Sequence, residues 1–234
     1  MIQQLNCGTM HTHILMKLSS VCTVLLVETT DGLLLVDTGI GLQDCARPSK
    51  LMRFFGWYVG LVFDAQECAA RQVERMGHAC GEVRHIVMTH MHLDHAGGLR
   101  DFPDAQVHIS KVEYEAIQHP RGIIERAYDK AQWSHGPRWV AHDLSAAQEQ
   151  WFGYPAVRIL PGVEPEILLI PLEGHTRGQC GVSIRSGSGW HLHCGDAISF
   201  LHRAVDPYPE QHPRAVNINF MPTWFVRRVM STDI

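Results

Sequence analysis

The 234-residue sequence lacks the features that mark nucleic-acid-binding and membrane-spanning proteins. Its formal net charge is −4 and it contains no run of Lys or Arg. A surface that neutralises phosphates needs a basic stripe, so we expect no nucleic-acid partner. The apolar runs VCTVLLVE and GLLLVD have the length of strands and are too short to span a bilayer, so we expect no membrane partner.

The seven cysteines form no pattern that predicts a disulfide scaffold or a cysteine zinc knuckle. Their number is odd, their spacing is irregular, and no C-x-x-C pair occurs. The first residues, MIQQLNCGTMHTH, also lack the charged segment and the apolar segment of a signal peptide. Free thiols without a signal peptide predict a reducing, cytoplasmic location.

The apolar periodicity predicts strands and helices along the whole chain. Residues 21–37 have the pattern of a β-hairpin with a turn at TTDG. Helical spacing predicts a helix over 64–76 that ends at Gly77. Further strands are predicted over 84–90, 105–110, 157–160, 166–172, 180–185 and 190–196, and further helices over 111–118 and 223–234. Strands interspersed with helices, repeated twice, predict two packed sheets with helices outside.

Two segments rich in aromatic residues, 47–63 and 119–155, have no single regular pattern. We interpret the first as a short helix with a loop and the second as an irregular excursion. They carry more aromatic side chains than plain solvent loops do. We therefore expect both to form walls of an apolar cleft, although packing in the core or in a lid is an equally good interpretation of the tryptophans. The predicted pocket residues are Phe54, Trp57, Tyr58 and Trp133.

The stretch THMHLDHAGG, residues 89–98, places His90, His92, Asp94 and His95 within six positions. It follows a predicted strand, where an extended H-x-H lets both imidazoles converge on one ion while Asp94 and His95 face a second. Imidazole and carboxylate together suit Zn²⁺, Fe or Mn better than Ca²⁺ or Mg²⁺. The alternative is a local accident, because 16 histidines lower the weight of any single one.

Two more predicted strands end before a residue of the metal-ligand type. LEGHTRGQC supplies His175 and LHCGDAIS supplies Asp196, and Asp37 in VDTG is a candidate to support the ligands from behind. Each residue alone is more often an ordinary loop, turn or cap residue. Their joint occurrence at successive strand ends argues against coincidence.

Together these fragments resemble the metallo-β-lactamase superfamily, over nearly the whole chain. The resemblance implies an α+β fold, an αββα sandwich of two mixed sheets flanked by helices, formed as a single domain over 1–234. It implies two Zn²⁺ ions, with Fe or Mn as alternatives. Metal 1 would be held by His90, His92 and His175, and metal 2 by Asp94, His95 and the bridging Asp196.

Within that superfamily the chain is most similar to the lactonase branch, which includes quorum-quenching acyl-homoserine lactonases. This implies a dinuclear hydrolase in which a metal-bound hydroxide attacks the carbonyl of a small lactone or ester. Asp94 would ligate metal 2 and carry a proton to the leaving group. The alternatives are a glyoxalase II-type thioesterase, a mononuclear iron dioxygenase or a truncated, non-catalytic scaffold. A homodimer is one of the oligomeric states left open.

One element that the resemblance implies is missing. Metal 2 would take a further histidine from a strand near the C-terminus, yet no histidine follows His212. His202 and His212 come too early in the family order to be its natural substitutes. We therefore expect the domain to lack its last strand here, and the native product to extend past Ile234 and supply that histidine.

Overall fold

The computed structural model describes residues 1–12, 18–187 and 189–198. Two β-sheets pack face to face, and helices cover the outer face of the first sheet. This arrangement confirms the predicted α+β sandwich. The first sheet contains, in order, β1 (Ile2–Thr12), β2 (Leu18–Thr29), β3 (Gly32–Val36), β4 (Val83–Val87), β5 (Gln106–Ser110) and β6 (Arg138–His142).

The first sheet is mixed. Strands β1, β2 and β3 pair antiparallel, which confirms the hairpin predicted over 21–37, and β3 to β6 pair parallel. Strand β1 was not predicted from the sequence. It lies at the edge of the sheet and is largely polar, with Leu5, Cys7 and Met10 as its buried apolar residues, so it has no sustained apolar alternation.

The second sheet contains β7 (Glu149–Trp151), β8 (Tyr154–Arg158), β9 (Ile167–Pro171), β10 (Cys180–Ser186) and β11 (Gly189–His193), each antiparallel to its neighbour. The core between the sheets follows from strand alternation. In β2, Leu25 and Val27 pack toward the second sheet, whereas Val24 and Leu26 pack toward the helices. Both faces of β2 are therefore buried.

Four α-helices are described: α1 (Leu42–Ala46), α2 (Lys50–Val59), α3 (Ala69–Arg75) and α4 (Lys111–Gln118). Helix α3 packs Ala69, Ala70 and Val73 on the first sheet, as its helical spacing predicted. Helix α2 begins at the Ser49 cap, whose Oγ accepts a hydrogen bond from the Met52 N–H. It confirms the short helix predicted within 47–63.

The segment 119–155 is more regular than predicted. It contributes β6, which adds to the first sheet in parallel with β5, and β7, which adds to the second. The interpretation of this whole segment as an irregular excursion is wrong. Strand β6 lies at the edge of its sheet and its residues are exposed or only half-buried, so the sequence carries little apolar alternation there.

Among the residues just described, no helix has both the length and the apolar character needed to cross a lipid bilayer. The helix predicted over 223–234 lies outside the described residues, as do His202 and His212.

Candidate metal centre

The predicted ligand residues meet at one edge of the two sheets, because each follows a strand that ends there. The 89–98 loop follows β4, and Asp37 follows the neighbouring β3. From the second sheet, His175 follows β9 and Asp196 follows β11. The Cys180 N–H, at the start of β10, donates to the Thr89 carbonyl and ties the second sheet to the loop.

Two groups of side chains converge closely enough to share a cation. In the first, one nitrogen each of His90, His92 and His175 lies within 4.8 Å of the others. In the second, His90 and His95 converge with a carboxylate oxygen of Asp196 under the same limit. We call the four imidazoles of these groups, those of His90, His92, His95 and His175, the metal cluster.

Asp196 belongs to the second group and also faces the first. Its Oδ2 is 3.4 Å from His175 Nε2 and 4.0 Å from His90 Nε2, while its Oδ1 is 3.3 Å from His95 Nε2. One oxygen therefore faces each group, which is the arrangement that a bridging carboxylate needs. Asp94 lies beside the second group, with Oδ2 3.9 Å from His95 Nε2.

Hydrogen bonds orient three imidazoles of the metal cluster from behind. His92 Nε2–H donates to the Ile124 carbonyl at 3.1 Å, so its Nδ1 faces the cluster. His90 Nδ1 lies 3.1 Å from Thr89 Oγ, whose own proton is donated to Asp37, so the His90 Nε2 lone pair faces inward. Partners on the far ring nitrogen set the tautomer in this way in metal sites.

Asp37 is fully buried and connects the two strand ends. Its carboxylate accepts hydrogen bonds from the Thr89 N–H at 2.8 Å, from Thr89 Oγ at 2.7 Å and from His95 Nδ1 at 2.8 Å. Asp37 adopts a φ of 59°, in the left-handed region, which aims its side chain at this loop. It therefore contacts His95, one of the predicted ligands, directly.

The residues present fit a metal ion. His90 Nε2 is buried and has no hydrogen-bond partner among the described residues, although it points at Asp196 and the other imidazoles. A buried ring nitrogen without a hydrogen-bond partner costs free energy unless a bound ligand, such as a metal ion, contacts it. The donor set, imidazoles with carboxylates, is the one that Zn²⁺, Fe or Mn prefers.

The histidines of the metal cluster differ in the direction in which their surroundings shift the pKa. Burial lowers the pKa of His90 and of His92 well below the ordinary value and holds both rings neutral. Burial also disfavours the charged form of His95, but Asp196 and Asp94 outweigh it and raise the pKa of His95 well above its usual range. Neutral imidazoles are ready ligands, whereas His95 must release a proton when a cation binds.

The carboxylates differ in a similar way. Burial raises the pKa of Asp94 to about 6, partly opposed by His95. Burial also opposes ionisation of Asp196, but His95, His175 and His90 outweigh it and hold the pKa of Asp196 well below its usual range. Asp196 is therefore a permanent anion between the two groups, and Asp94 is the carboxylate that can exchange a proton near neutral pH.

One buried residue that the sequence interpretation missed, Glu113, holds the site together. Glu113, in the first turn of α4, accepts hydrogen bonds from the Met91 N–H at 2.8 Å, the Tyr128 hydroxyl at 2.9 Å and the Thr176 hydroxyl at 2.7 Å. Met91 separates His90 from His92, and Thr176 follows His175. Glu113 therefore links the two loops that carry the first ligand group.

The sequence around Glu113 contains a recognisable pattern, but that pattern predicts a helix cap and not a contact with the metal loops. Ser110 caps α4 and Glu113 follows three residues later, which is the spacing of a capping box. In the structure the carboxylate turns away from the cap and reaches the metal loops instead.

The predicted pocket residues do not share one environment. Phe54, Trp57 and Tyr58 lie on the outer face of α2 and are 63%, 70% and 44% exposed, and the Phe54 ring contacts the other two. Trp133 is half-buried against the core between the first sheet and its helices. A cleft of about 450 Å³ opens beside His175 and is lined by the backbone and side chains of 121–125 and 173–177.

Comparison with known proteins agrees with this geometry. A family model described as "Metallo-beta-lactamase superfamily" matches residues 20–217. A probable metallo-hydrolase of Mycobacterium tuberculosis is 42% identical over 205 residues, which are 87% of this chain. The chain spans only 64% of the length of that relative. An N-acyl homoserine lactonase of a Bacillus species is 29% identical over 43% of this chain and 40% of its own length.

Among solved structures, a Bacillus thuringiensis AiiA variant with N-decanoyl-L-homoserine at its active site aligns with a TM-score of 0.62. It is 22% identical, and the alignment covers 82% of this chain and 73% of that protein. At this identity the likeness concerns the fold. The family match covers most of the chain, and the ligand-type residues of the family pattern meet at one point in the structure: this chain belongs to the metallo-β-lactamase superfamily.

Proposed function

We propose that the chain is a metal-dependent hydrolase that acts on the carbonyl of a small lactone or ester. His90, His92 and His175 would hold one ion, and Asp94, His95 and Asp196 the other. The observation that carries the proposal is that the Asp196 carboxylate faces His175 and His90 with one oxygen and His95, beside Asp94, with the other. Two divalent ions held there would lower the pKa of a water molecule and polarise a carbonyl oxygen, and zinc suits the donor set best.

The residues of the chain contribute orientation and proton transfer. The Ile124 carbonyl, Thr89 and Asp37 fix the ring nitrogens that face inward. Asp94 would carry a proton to the leaving oxygen, because burial places its pKa at about 6, close to the pH at which such an enzyme works. Its side chain is 15% exposed, so it can reach a bound substrate from inside the site.

The cleft beside His175 supports a small-molecule substrate. Its lining includes Ile123, which is 71% exposed, and the Ile124 backbone that also orients His92. An apolar acyl chain would bury such a side chain. The lactonase names of the Bacillus relative and of the AiiA structure favour a lactone as the reacting group.

The proposal is tested by measuring metal content and turnover on one preparation. Two zinc ions per chain and hydrolysis of a lactone or ester would support it. Preference for a thioester would favour the glyoxalase II-type alternative, and one iron with oxygen consumption would favour the dioxygenase. Bound metal without turnover on any lactone, ester or thioester would favour a non-catalytic scaffold.

The exposed aromatic face of α2 is proposed as an outer wall for the substrate. Trp57→Ala should then raise the KM for a long-chain substrate several-fold and leave kcat nearly unchanged, because it would remove uniform binding. Tyr154→Ala, another exposed aromatic on β8, is the matched control. Equal KM values for both variants and the parent protein would remove α2 from the substrate site.

A further inference from the structure

Two thiols touch outside the metal centre. Cys45, in the last turn of α1, lies with its Sγ 3.6 Å from the Sγ of Cys68, the residue before α3. Cys68 is fully buried, whereas Cys45 is partly exposed and can meet a small reagent. Both are free thiols in the structure. None of the residues proposed as ligands belongs to this pair.

We propose that Cys45 and Cys68 are a redox-active pair that forms a reversible disulfide by exchange with a small-molecule disulfide such as oxidised glutathione. A disulfide has an S–S length of about 2.05 Å, so closing the pair needs a movement of about 1.5 Å. Helix α1 has only five residues, and Cys45 lies in its last turn, beyond the Gly41 and Leu42 N–H groups that Asp44 and Asp101 hold at its start, so the Cys45 sulfur can move by that amount.

The exchange proceeds in two balanced steps. The Cys45 thiolate attacks one sulfur of glutathione disulfide, forms a mixed disulfide and expels one glutathione thiolate. The Cys68 sulfur then attacks Cys45 Sγ, expels the second glutathione, and passes its proton to that leaving thiolate. Two protein thiols are oxidised by two electrons, and one external disulfide is reduced to two thiols.

The order of attack follows from the environment of the two thiols. The hydrogen bond between the two sulfurs lowers the pKa of Cys45, and the same hydrogen bond together with burial raises the pKa of Cys68. The thiol that a reagent can reach is therefore also the one that ionises first. Cys68 resolves the mixed disulfide from inside.

The disulfide would link the two ends of the segment 45–68, which contains α2. It would close a loop between two residues 23 positions apart, Cys45 and Cys68, and that loop contains the exposed aromatic face of Phe54, Trp57 and Tyr58. It would also fix α1, whose buried Asp44 accepts hydrogen bonds from Gly41 N–H and Gln132 Nε2. The same Gln132 nitrogen donates to the Leu93 carbonyl, inside the metal-binding loop.

The test is limited proteolysis with trypsin before and after treatment with oxidised glutathione. Lys50 and Arg53 are exposed within the loop, whereas the Arg47–Pro48 bond resists trypsin. In the oxidised protein, a cut at Lys50 or Arg53 should leave two fragments joined until a reductant separates them. The unfolding midpoint should also rise by roughly 5–10 °C on oxidation, as for a loop of this length in a protein of this size.

Matched variants isolate the pair. Cys45→Ser and Cys68→Ala should each abolish the joined fragments and the shift in midpoint, whereas Cys80→Ser, at another partly exposed thiol, should change neither. Peptide mass mapping of the oxidised parent protein covers the case in which a variant fails to fold. A mixed disulfide that stays on Cys45, or a link between Cys45 and another cysteine, would overturn the proposal. Neither readout depends on hydrolase activity, so failure here leaves the proposed function untouched.

Discussion

The metal cluster differs from a second group of buried or half-buried histidines in the direction of its ring nitrogens. The second group, which we call the histidine ladder, runs across three adjacent parallel strands and consists of His85 on β4, His108 on β5 and His142 on β6. His108 contacts His85 through Nε2 at 3.1 Å and His142 through Nδ1 at 3.0 Å. At one end, His85 Nε2 lies 3.0 Å from Asp31 Oδ2.

The ladder imidazoles therefore satisfy one another along a line. In the metal cluster His92 Nδ1 and His175 Nε2 lie 2.8 Å apart, but His90 Nε2 has no hydrogen-bond partner among the described residues. Both nitrogens of His85 and of His108 are engaged along a line, so they share no point at which a cation could sit. In the metal cluster the inner nitrogens converge, and Asp37, Thr89 and the Ile124 carbonyl support them from behind. A candidate metal site in this chain is therefore distinguished by ring nitrogens that converge on one point and by hydrogen-bond partners behind the rings. The number of histidines does not distinguish it.

The largest expected effect is that substitutions in the metal cluster abolish metal binding, whereas a substitution in the histidine ladder does not. The double variant His90→Ala, His92→Ala should lose most bound metal and all hydrolysis, because it removes two of the three residues proposed to hold the first ion. His108→Gln should bind metal as the parent protein does. Metal content by elemental analysis after dialysis separates the two. His191→Ala, at an exposed histidine on β11, controls for the substitution itself. If the double variant retained its metal, the converging nitrogens of the metal cluster would not be the metal site, and the contrast with the histidine ladder would fail.

Asp94 supplies the next largest effect. Asp94→Asn removes the group proposed to carry the proton and keeps its shape, so turnover should fall about 100-fold or more while at least one metal stays bound. Single-turnover kinetics with metal analysis measures both quantities. Asp104→Asn, at an exposed aspartate outside the metal centre, should leave both unchanged. Parental turnover with two metals bound would remove Asp94 from the mechanism.

The sequence predicted the metal cluster better than its supports. His90, His92 and His95 share one short loop after a strand, so residue type and local spacing made them candidates, and the fragments with His175 and Asp196 at other strand ends strengthened the prediction. Glu113 acts on Met91 and Thr176, which are 22 and 63 positions away, and its local spacing suggests only a helix cap. The edge strands β1 and β6 escaped prediction for a related reason. A strand paired on one side buries few residues, and its apolar alternation is weak.

Glu113 offers a test of the outside support. Glu113→Ala would leave the Met91 N–H and the hydroxyls of Tyr128 and Thr176 buried without an acceptor. The loops carrying His90, His92 and His175 should loosen, and metal affinity should fall roughly 10- to 100-fold, the range seen when groups behind metal ligands are removed.

Glu113→Gln keeps an acceptor oxygen and should restore most of that affinity. Competition with a chromophoric chelator measures the affinity, and the absorption spectrum of the cobalt-substituted protein reports ligand geometry independently of activity. A Glu113→Ala protein with parental metal affinity and an unchanged cobalt spectrum would show that the loops keep their positions without Glu113.

The ladder offers the smallest effect, and it appears in stability. Burial, with repulsion from His142 and His85, lowers the pKa of His108 from 6.5 to about 3. Protonation therefore favours the unfolded chain. The contribution of His108 is complete above pH 6.5 and is lost as the pH falls toward 3. Between pH 7.5 and pH 5 this amounts to about 2 kcal/mol of unfolding free energy.

His108→Gln removes the titrating group and keeps polar atoms for both neighbours. Its unfolding free energy, measured with urea at pH 7.5 and pH 5, should therefore fall less with acid than that of the parent protein, by about the same 2 kcal/mol. The measurement uses metal-free protein for both chains, so that acid release of bound metal does not add to the slope. Equal acid sensitivity of the two proteins would mean that the ladder carries a proton in the folded state, and that its imidazoles are less closely matched than their spacing indicates.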